Sequence, residues 1–171
     1  IVDGVGTVAK AFYPKPVWVR SLDVRTDEYS HMIGGDKEAT EANPMLGVHG
    51  IRRDLVMTEL LKSEFTAIKQ LYEQGLDNIG IMIPFSCDVS ELIKAKEIAK
   101  KVGLSEKVKF GVMVEVPSCA LSIEEYCKVG INFISFGSND LTQLTLGIDR
   151  GNEDLTPLFN EMHAGMKFLF A

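Results

Sequence analysis

Cysteine is sparse in this chain of 171 residues: Cys87, Cys119 and Cys127 make an odd number, and none stands in a C-x-x-C spacing. Neither a zinc site nor a disulfide framework is indicated, and the three are expected as buried or partly buried thiols. A basic stretch is also missing. The net charge is -6, and the densest lysine run, Lys94 to Lys101, is interrupted by Glu97, so it reads as a solvated helix face. Nucleic-acid binding needs a basic patch that no stretch supplies. No apolar run approaches the roughly 18 residues of a membrane span, and no signal-peptide pattern opens the chain. No membrane role is expected, and the default setting is cytoplasmic. The chain starts at Ile1 rather than methionine and ends on the apolar helical pattern Met166-Lys167-Phe168-Leu169-Phe170, so a piece of a longer protein is expected. With 46% hydrophobic and 25% charged residues, it can bury the core of one globular domain and is not a disordered polar segment.

The patterning alternates strand with helix. A short helix over Asp3 to Tyr13 must stop before Pro14-Lys15-Pro16. Val17 to Leu22 is rich in strand formers. Residues 26 to 50 contain Gly34-Gly35, Asn43-Pro44 and Gly47 and read as a long loop of the kind that carries function. From Asp54 the residues Leu55, Leu60, Leu61, Phe65, Ile68, Leu71 and Tyr72 recur at helical spacing until Gly75, predicting a long amphipathic helix. Ile79 to Ile83 is a continuous apolar run closed by Pro84, as in a strand buried on both faces. A helix over Asp88 to Val102, a strand over Lys107 to Val116, a helix opened by the capping-box spacing Ser122 to Glu125, and a strand over Asn132 to Phe136 follow. The tail from Pro157 is expected to be helical. Strand and helix alternating in this way is the signature of a parallel sheet with right-handed crossovers, hence an α/β class. Periodicity leaves a closed barrel and an open doubly wound sheet both possible. Four clear strands are too few for a complete barrel of about 250 residues.

Both architectures bind ligands at the carboxyl ends of their strands. There the sequence carries Arg20 and Asp23, then Glu115, then Ser138-Asn139-Asp140. Glu115 and Asp140 lie one βα unit apart and are expected to project from one rim on neighbouring strands. Two such carboxylates suit Mg²⁺, which takes one or two protein carboxylates and fills its shell with water and substrate oxygens. A carboxylate paired with an arginine or capping a helix is the alternative. Asn139 offers a donor and an acceptor, or is a turn residue. Arg20 can clamp a carboxylate or phosphate through parallel hydrogen bonds, or pair with Asp23 or Asp140. Arg150, in Asp149-Arg150-Gly151, admits the same two readings.

Four segments, taken in order, carry a resemblance: Asn43-Pro44-Met45-Leu46-Gly47, Val114-Glu115-Val116-Pro117-Ser118, Gly137-Ser138-Asn139-Asp140-Leu141-Thr142-Gln143 and Asp149-Arg150-Gly151. They resemble the signature motifs of the phosphoenolpyruvate-utilising enzymes, and the likeness extends over nearly the whole chain. Phe12-Tyr13-Pro14-Lys15-Pro16-Val17 and Arg25-Thr26-Asp27-Glu28-Tyr29 are similar to the phosphoenolpyruvate synthase (pyruvate, water dikinase) branch, with pyruvate phosphate dikinase and enzyme I of the sugar phosphotransferase system as alternatives. The resemblance implies a partial (β/α)₈ TIM barrel, with residues 1–171 a fragment of the carboxy-terminal phosphoenolpyruvate/pyruvate-binding domain of a longer, ATP-consuming, gluconeogenic enzyme that forms a homo-oligomer.

Within that frame Glu115 and Asp140 are the implied Mg²⁺ ligands. Arg20 and Asn139 contact pyruvate or phosphoenolpyruvate beside Ser138, and Arg150 supports the site. His49 stands where the family usually has an arginine, so a phosphate contact is expected of it, or of Arg52 or Arg53 in its place. The implied chemistry is phosphoryl transfer between a phosphohistidine, on another domain of the same parent protein, and the enolate oxygen of pyruvate. The family's cysteine general acid stands in a motif that none of the three cysteines matches. A reading of another class is an assembly module, because an incomplete barrel leaves strand edges open.

Overall fold

The computed structural model describes residues 1–171. Four parallel strands lie side by side in chain order: β1 Val17–Arg20, β2 Ile79–Ile83, β3 Lys109–Val114 and β4 Phe133–Phe136. Sequential order, parallel pairing and helical crossovers make this a half-barrel of the (β/α)₈ kind. It settles the choice that periodicity left open between a barrel and a doubly wound sheet. The helices are α1 Val2–Phe12, α2 Thr26–Ser30, α3 Gly50–Val56, α4 Thr58–Glu73, α5 Val89–Val102, α6 Pro117–Leu121, α7 Ile123–Val129, α8 Ser138–Leu146 and α9 Ala164–Phe170.

The outer face of the sheet is apolar because alternate strand residues point there. Ile79, Ile81 and Ile83 of β2 and Phe110, Val112 and Val114 of β3 share one buried cluster with Leu61, Phe65, Ile68 and Leu71 of α4 and Leu92, Ala95 and Ile98 of α5. Each of the larger side chains contributes about 1.5–3 kcal/mol by leaving water, and Ala95 less. α5 is delimited at both ends. Asp88 accepts from the Ser90 amide at 2.8 Å, Glu91 reaches back to the Asp88 amide at 3.2 Å, and Gly103 closes the helix at φ +77°.

The inner face is filled differently. The ring of Trp18 on β1 stacks on Phe133 of β4 with centroids 3.9 Å apart, although two strands lie between them. Those strands present glycine there: a Cβ on Gly80 would stand 2.5 Å from the Trp18 ring, and one on Gly111 2.5 Å from the Phe133 ring. The two glycines open the space in which the aromatic rings meet.

Several local expectations are corrected. Residues 26 to 50 are not plain loop; they hold α2 and two 3₁₀ turns, Gly35–Lys37 and Pro44–Leu46. This segment is pinned by Arg53, which donates to both Glu38 oxygens at 3.0 and 2.6 Å and lies over the Tyr29 ring. The long helix begins earlier, at Gly50, and breaks at Met57, whose φ and ψ of -107° and 61° are not helical. Ser122 does not cap: its Oγ donates back to the Ser118 carbonyl at 2.7 Å, because α6 already occupies the preceding turn. Ser138 to Asp140 open a helix and are not a turn. The tail is helical only over α9, after a 3₁₀ turn at Thr156–Leu158. Cys119 is buried and Cys87 partly so, but Cys127 is exposed. No helix is long and apolar enough to cross a membrane.

Candidate functional site

Parallel pairing brings the carboxyl ends of all four strands to one rim. β1 delivers Arg20 and, through Ser21 and Leu22, Asp23. β2 delivers Pro84-Phe85-Ser86, β3 delivers Glu115, and β4 delivers Gly137 and the first turn of α8.

Glu115 is 1% exposed. Its Oε1 accepts the Phe85 amide at 2.6 Å, and no arginine pairs with it directly, which removes one of the alternatives open to it from sequence. Its Oε2 lies against Gly137, where a Cβ would stand 2.5 Å away. Burial pushes the carboxyl up to about 7; the Phe85 amide opposes this, and the charges of Asp23 and Asp140 add to it. Phe85 reaches Glu115 by adopting φ +50°, the left-handed region that a bulky side chain seldom visits. The loop that holds it is fixed below: Glu91 accepts from the Ser86 hydroxyl at 3.0 Å and the Cys87 amide at 2.8 Å, and Ser86 also shares a hydrogen bond with buried Tyr126 at 2.9 Å.

Asp140 lies on the first turn of α8. Arg150 Nη1 stands 3.3 Å from its Oδ1, an ion pair out of hydrogen-bond alignment, so this buried oxygen has no donor. Arg20, half-exposed on the rim, pairs with Asp23 at 3.3 Å, one of the two partners open to it from sequence. Ser138 donates to Glu161 at 2.8 Å, and Asn139 is exposed with its amide uncommitted. A cavity of about 810 Å³ opens beside the Asp140–Arg150 pair. It lies between the Asn43–Leu46 turn and the end of α8 and is lined by Arg25 and Arg150.

Two expected contacts sit differently. His49 is 2% exposed, and both ring nitrogens are taken within the protein, Nδ1 by Asp23 Oδ1 at 2.8 Å and Nε2 by the Met45 carbonyl at 2.9 Å. A direct phosphate contact does not fit that geometry. Arg52 donates to the Leu46 carbonyl at 3.3 Å and lies 5.1 Å over the Phe85 ring, which holds it beside the rim.

No cluster of three or more His, Cys, Asp or Glu side chains forms in the chain, so a zinc-type cage is not offered. Mg²⁺ asks for less: one or two carboxylates, with water and substrate oxygens supplying the rest. A buried glutamate raised by its surroundings and an aspartate oxygen without a donor fit such a cation.

The family model for the phosphoenolpyruvate-binding domain of phosphoenolpyruvate-utilising enzymes matches residues 2–170. The chain belongs to this family. Among its curated relatives is a probable phosphoenolpyruvate synthase of Pyrococcus horikoshii, 52% identical over 165 residues, which are 95% of this chain and 20% of that one. A second, also named probable phosphoenolpyruvate synthase, from Archaeoglobus fulgidus, is 53% identical over 157 residues, 91% of this chain and 21% of the relative. The phosphoenolpyruvate synthase of Helicobacter pylori is 39% identical over 178 residues, 99% and 22%. The family member described here thus spans about a fifth of the length of these relatives.

Sequence reasoning missed Phe85, Gly137 and Glu161 as parts of this rim. Gly137 had a signal, since a glycine between a strand and an acidic helix start marks close approach. Phe85 and Glu161 had none.

Proposed function

We propose that this chain is the substrate- and metal-binding part of a longer phosphoenolpyruvate synthase that converts ATP, pyruvate and water to AMP, phosphoenolpyruvate and phosphate. In this reading a phosphohistidine on another domain of the same protein delivers the phosphoryl group to the enolate oxygen of pyruvate. The observation that carries it is the meeting of Glu115, Asp140 and two arginines on one rim of a half-barrel whose sequence belongs to the family.

Glu115 and Asp140 would hold Mg²⁺, which when bound supplies positive charge to the carboxylate and enolate oxygens of the substrate. Arg20 has donors beyond the one it gives Asp23, and these suit the substrate carboxylate or the moving phosphoryl group. Asn139, exposed at the start of α8, can donate to an enolate oxygen through its amide. Arg150 stands 3.3 Å from Asp140 and lines the cavity from which a phosphoryl donor would approach. Phosphoryl transfer asks the protein chiefly for positioning and charge, and a rigid rim with buried anchors provides both.

The test is calorimetric titration of phosphoenolpyruvate and pyruvate into the full-length enzyme with and without Mg²⁺. Glu115→Ala with Asp140→Ala is expected to abolish the Mg²⁺-dependent part of the affinity. Unchanged Mg²⁺-dependent binding in that variant overturns the site.

A further inference from the structure

Of the chain's three histidines only His49 is buried; His31 and His163 are exposed. Its ring bridges two groups that can only accept: a carboxylate at 2.8 Å and a backbone carbonyl at 2.9 Å. Neutral imidazole has a single N–H, so one nitrogen would turn a lone pair on an oxygen. The imidazolium donates from both. The groups around it can be named element by element. Asp23 approaches from the end of β1, the Met45 carbonyl from the 3₁₀ turn, the neutral Phe85 ring from the end of β2 at 4.0 Å between centroids, and Arg52 from α3. Burial drives the ring toward neutrality and Arg52 repels the proton, but Asp23 and the Met45 carbonyl outweigh them, and the proton affinity is raised.

What His49 grips matters more than its charge alone. Asp23 gives Oδ1 to His49 and Oδ2 to Arg20 at 3.3 Å. The His49 ring lies tilted against that of Phe85, whose amide holds Glu115. A single buried ring therefore touches the supports of two rim groups while touching neither Arg20 nor Glu115 through a hydrogen bond.

We propose that His49, as a doubly donating imidazolium, is a positioning residue that clamps Asp23 so that Arg20 is aimed at the substrate anion, and that ties the Asn43–Leu46 turn to the strand ends. The proposal rests on the reading of Arg20 as an anion contact.

Two measurements test it. In the chain labelled with ¹⁵N-histidine, with the signal assigned by loss in His49→Gln, both ring nitrogens of His49 should report the protonated form at pH 7.5. The midpoint should lie above that of the same residue in the urea-unfolded chain. A single neutral tautomer at pH 7.5 overturns the proposal. In the full-length enzyme, His49→Gln should raise KM for phosphoenolpyruvate about tenfold with a much smaller change in kcat, and His49→Arg, which keeps a cation, should recover part of the loss. The rise in wild-type KM with pH through the His49 transition should disappear in His49→Gln.

Placed on Arg20→Lys, the same change should have little further effect, because it acts through Arg20. If Arg20→Lys leaves KM unchanged, the site reading fails. If Arg20→Lys raises KM and His49→Gln multiplies it by its full factor, the site stands and the positioning role falls. Should His49→Gln melt far below the wild type, Asp23→Asn interrupts the same relay from the other end and must raise KM and lower the His49 midpoint. Absence of both effects overturns the proposal.

Discussion

Two buried carboxylates beneath the Arg20 turn should make this chain less stable as the pH rises toward neutrality. Asp54 is 0% exposed; Oδ2 accepts the Ser21 hydroxyl at 2.9 Å, and Oδ1 has no partner. Glu64 accepts the Leu22 amide at 3.0 Å through Oε1 and leaves Oε2 buried without one. Burial raises Asp54 from 3.8 to about 6, with Asp23 adding and the Ser21 hydroxyl and Arg53 opposing. Burial and the Asp54 charge raise Glu64 from 4.5 to about 7, with the Leu22 amide opposing.

Because the folded chain holds these protons more tightly than the unfolded one, folding takes up protons between about pH 4 and pH 7. The stabilisation is complete below the unfolded values and is lost as the pH rises through the folded ones. For Asp54 alone, a shift of about two units corresponds to about 3 kcal/mol. The two are coupled, so the pair gives less than twice that. Urea unfolding of the wild type, Asp54→Asn, Glu64→Gln and the double variant at steps between pH 4.5 and 7.5 reads it directly. The difference between wild type and double variant should change by at least about 3 kcal/mol across that range. Asp88, whose carboxyl is lowered by the Ser90 contact, acts in the opposite sense at the acid end, but it is common to all four proteins and cancels in the difference. Parallel curves for wild type and double variant would refute the reasoning.

Gly111→Ala places a Cβ 2.5 Å from the Phe133 ring and should displace that ring from Trp18. The cost is about 2 kcal/mol, or a melting temperature lower by roughly 4–8 °C. Phe133→Leu in the same chain should recover part of the loss, and additive losses would show that the ring is not what the glycine accommodates. Gly137→Ala would press a methyl group against Glu115 Oε2 at 2.5 Å. Mg²⁺-dependent phosphoenolpyruvate binding by the full-length enzyme should weaken at least tenfold while binding without Mg²⁺ changes little; equal weakening of both would place the damage elsewhere.

The sheet was legible because its signals are local. Ile79 to Ile83 is apolar throughout and closed by Pro84, and the structure buries all five residues of β2. The position of Glu115 was legible for the same reason: a charge ending the apolar run of Gly111 to Val114 stands at a strand end, and parallel pairing puts strand ends together. The break at Met57 was not legible, since helix formers flank it on both sides. What sets α3 apart is a tertiary bond from the Ile51 amide to the Pro84 carbonyl at 3.2 Å, together with Gly50 at φ +53°. Intrinsic propensity cannot register such a partner.

The same distinction runs through the rim. Several of its groups are held from another segment: Glu115 by the Phe85 amide after β2, Asp23 by His49 ahead of α3, Ser138 by Glu161 ahead of α9. Which residues carry the chemistry could be read from where strands stop. What orients them was legible only for the local Arg20–Asp23 pair; the contacts on Glu115, Asp23 and Ser138 join segments 23 to 30 residues apart, and one depends on a phenylalanine in a backbone conformation its side chain disfavours. His49 is the sharpest case. The family resemblance suggested a phosphate contact at this position, whereas an aspartate 26 positions earlier turns the ring inward. Both ring nitrogens are spent on Asp23 and the Met45 carbonyl, which leaves neither for a phosphate.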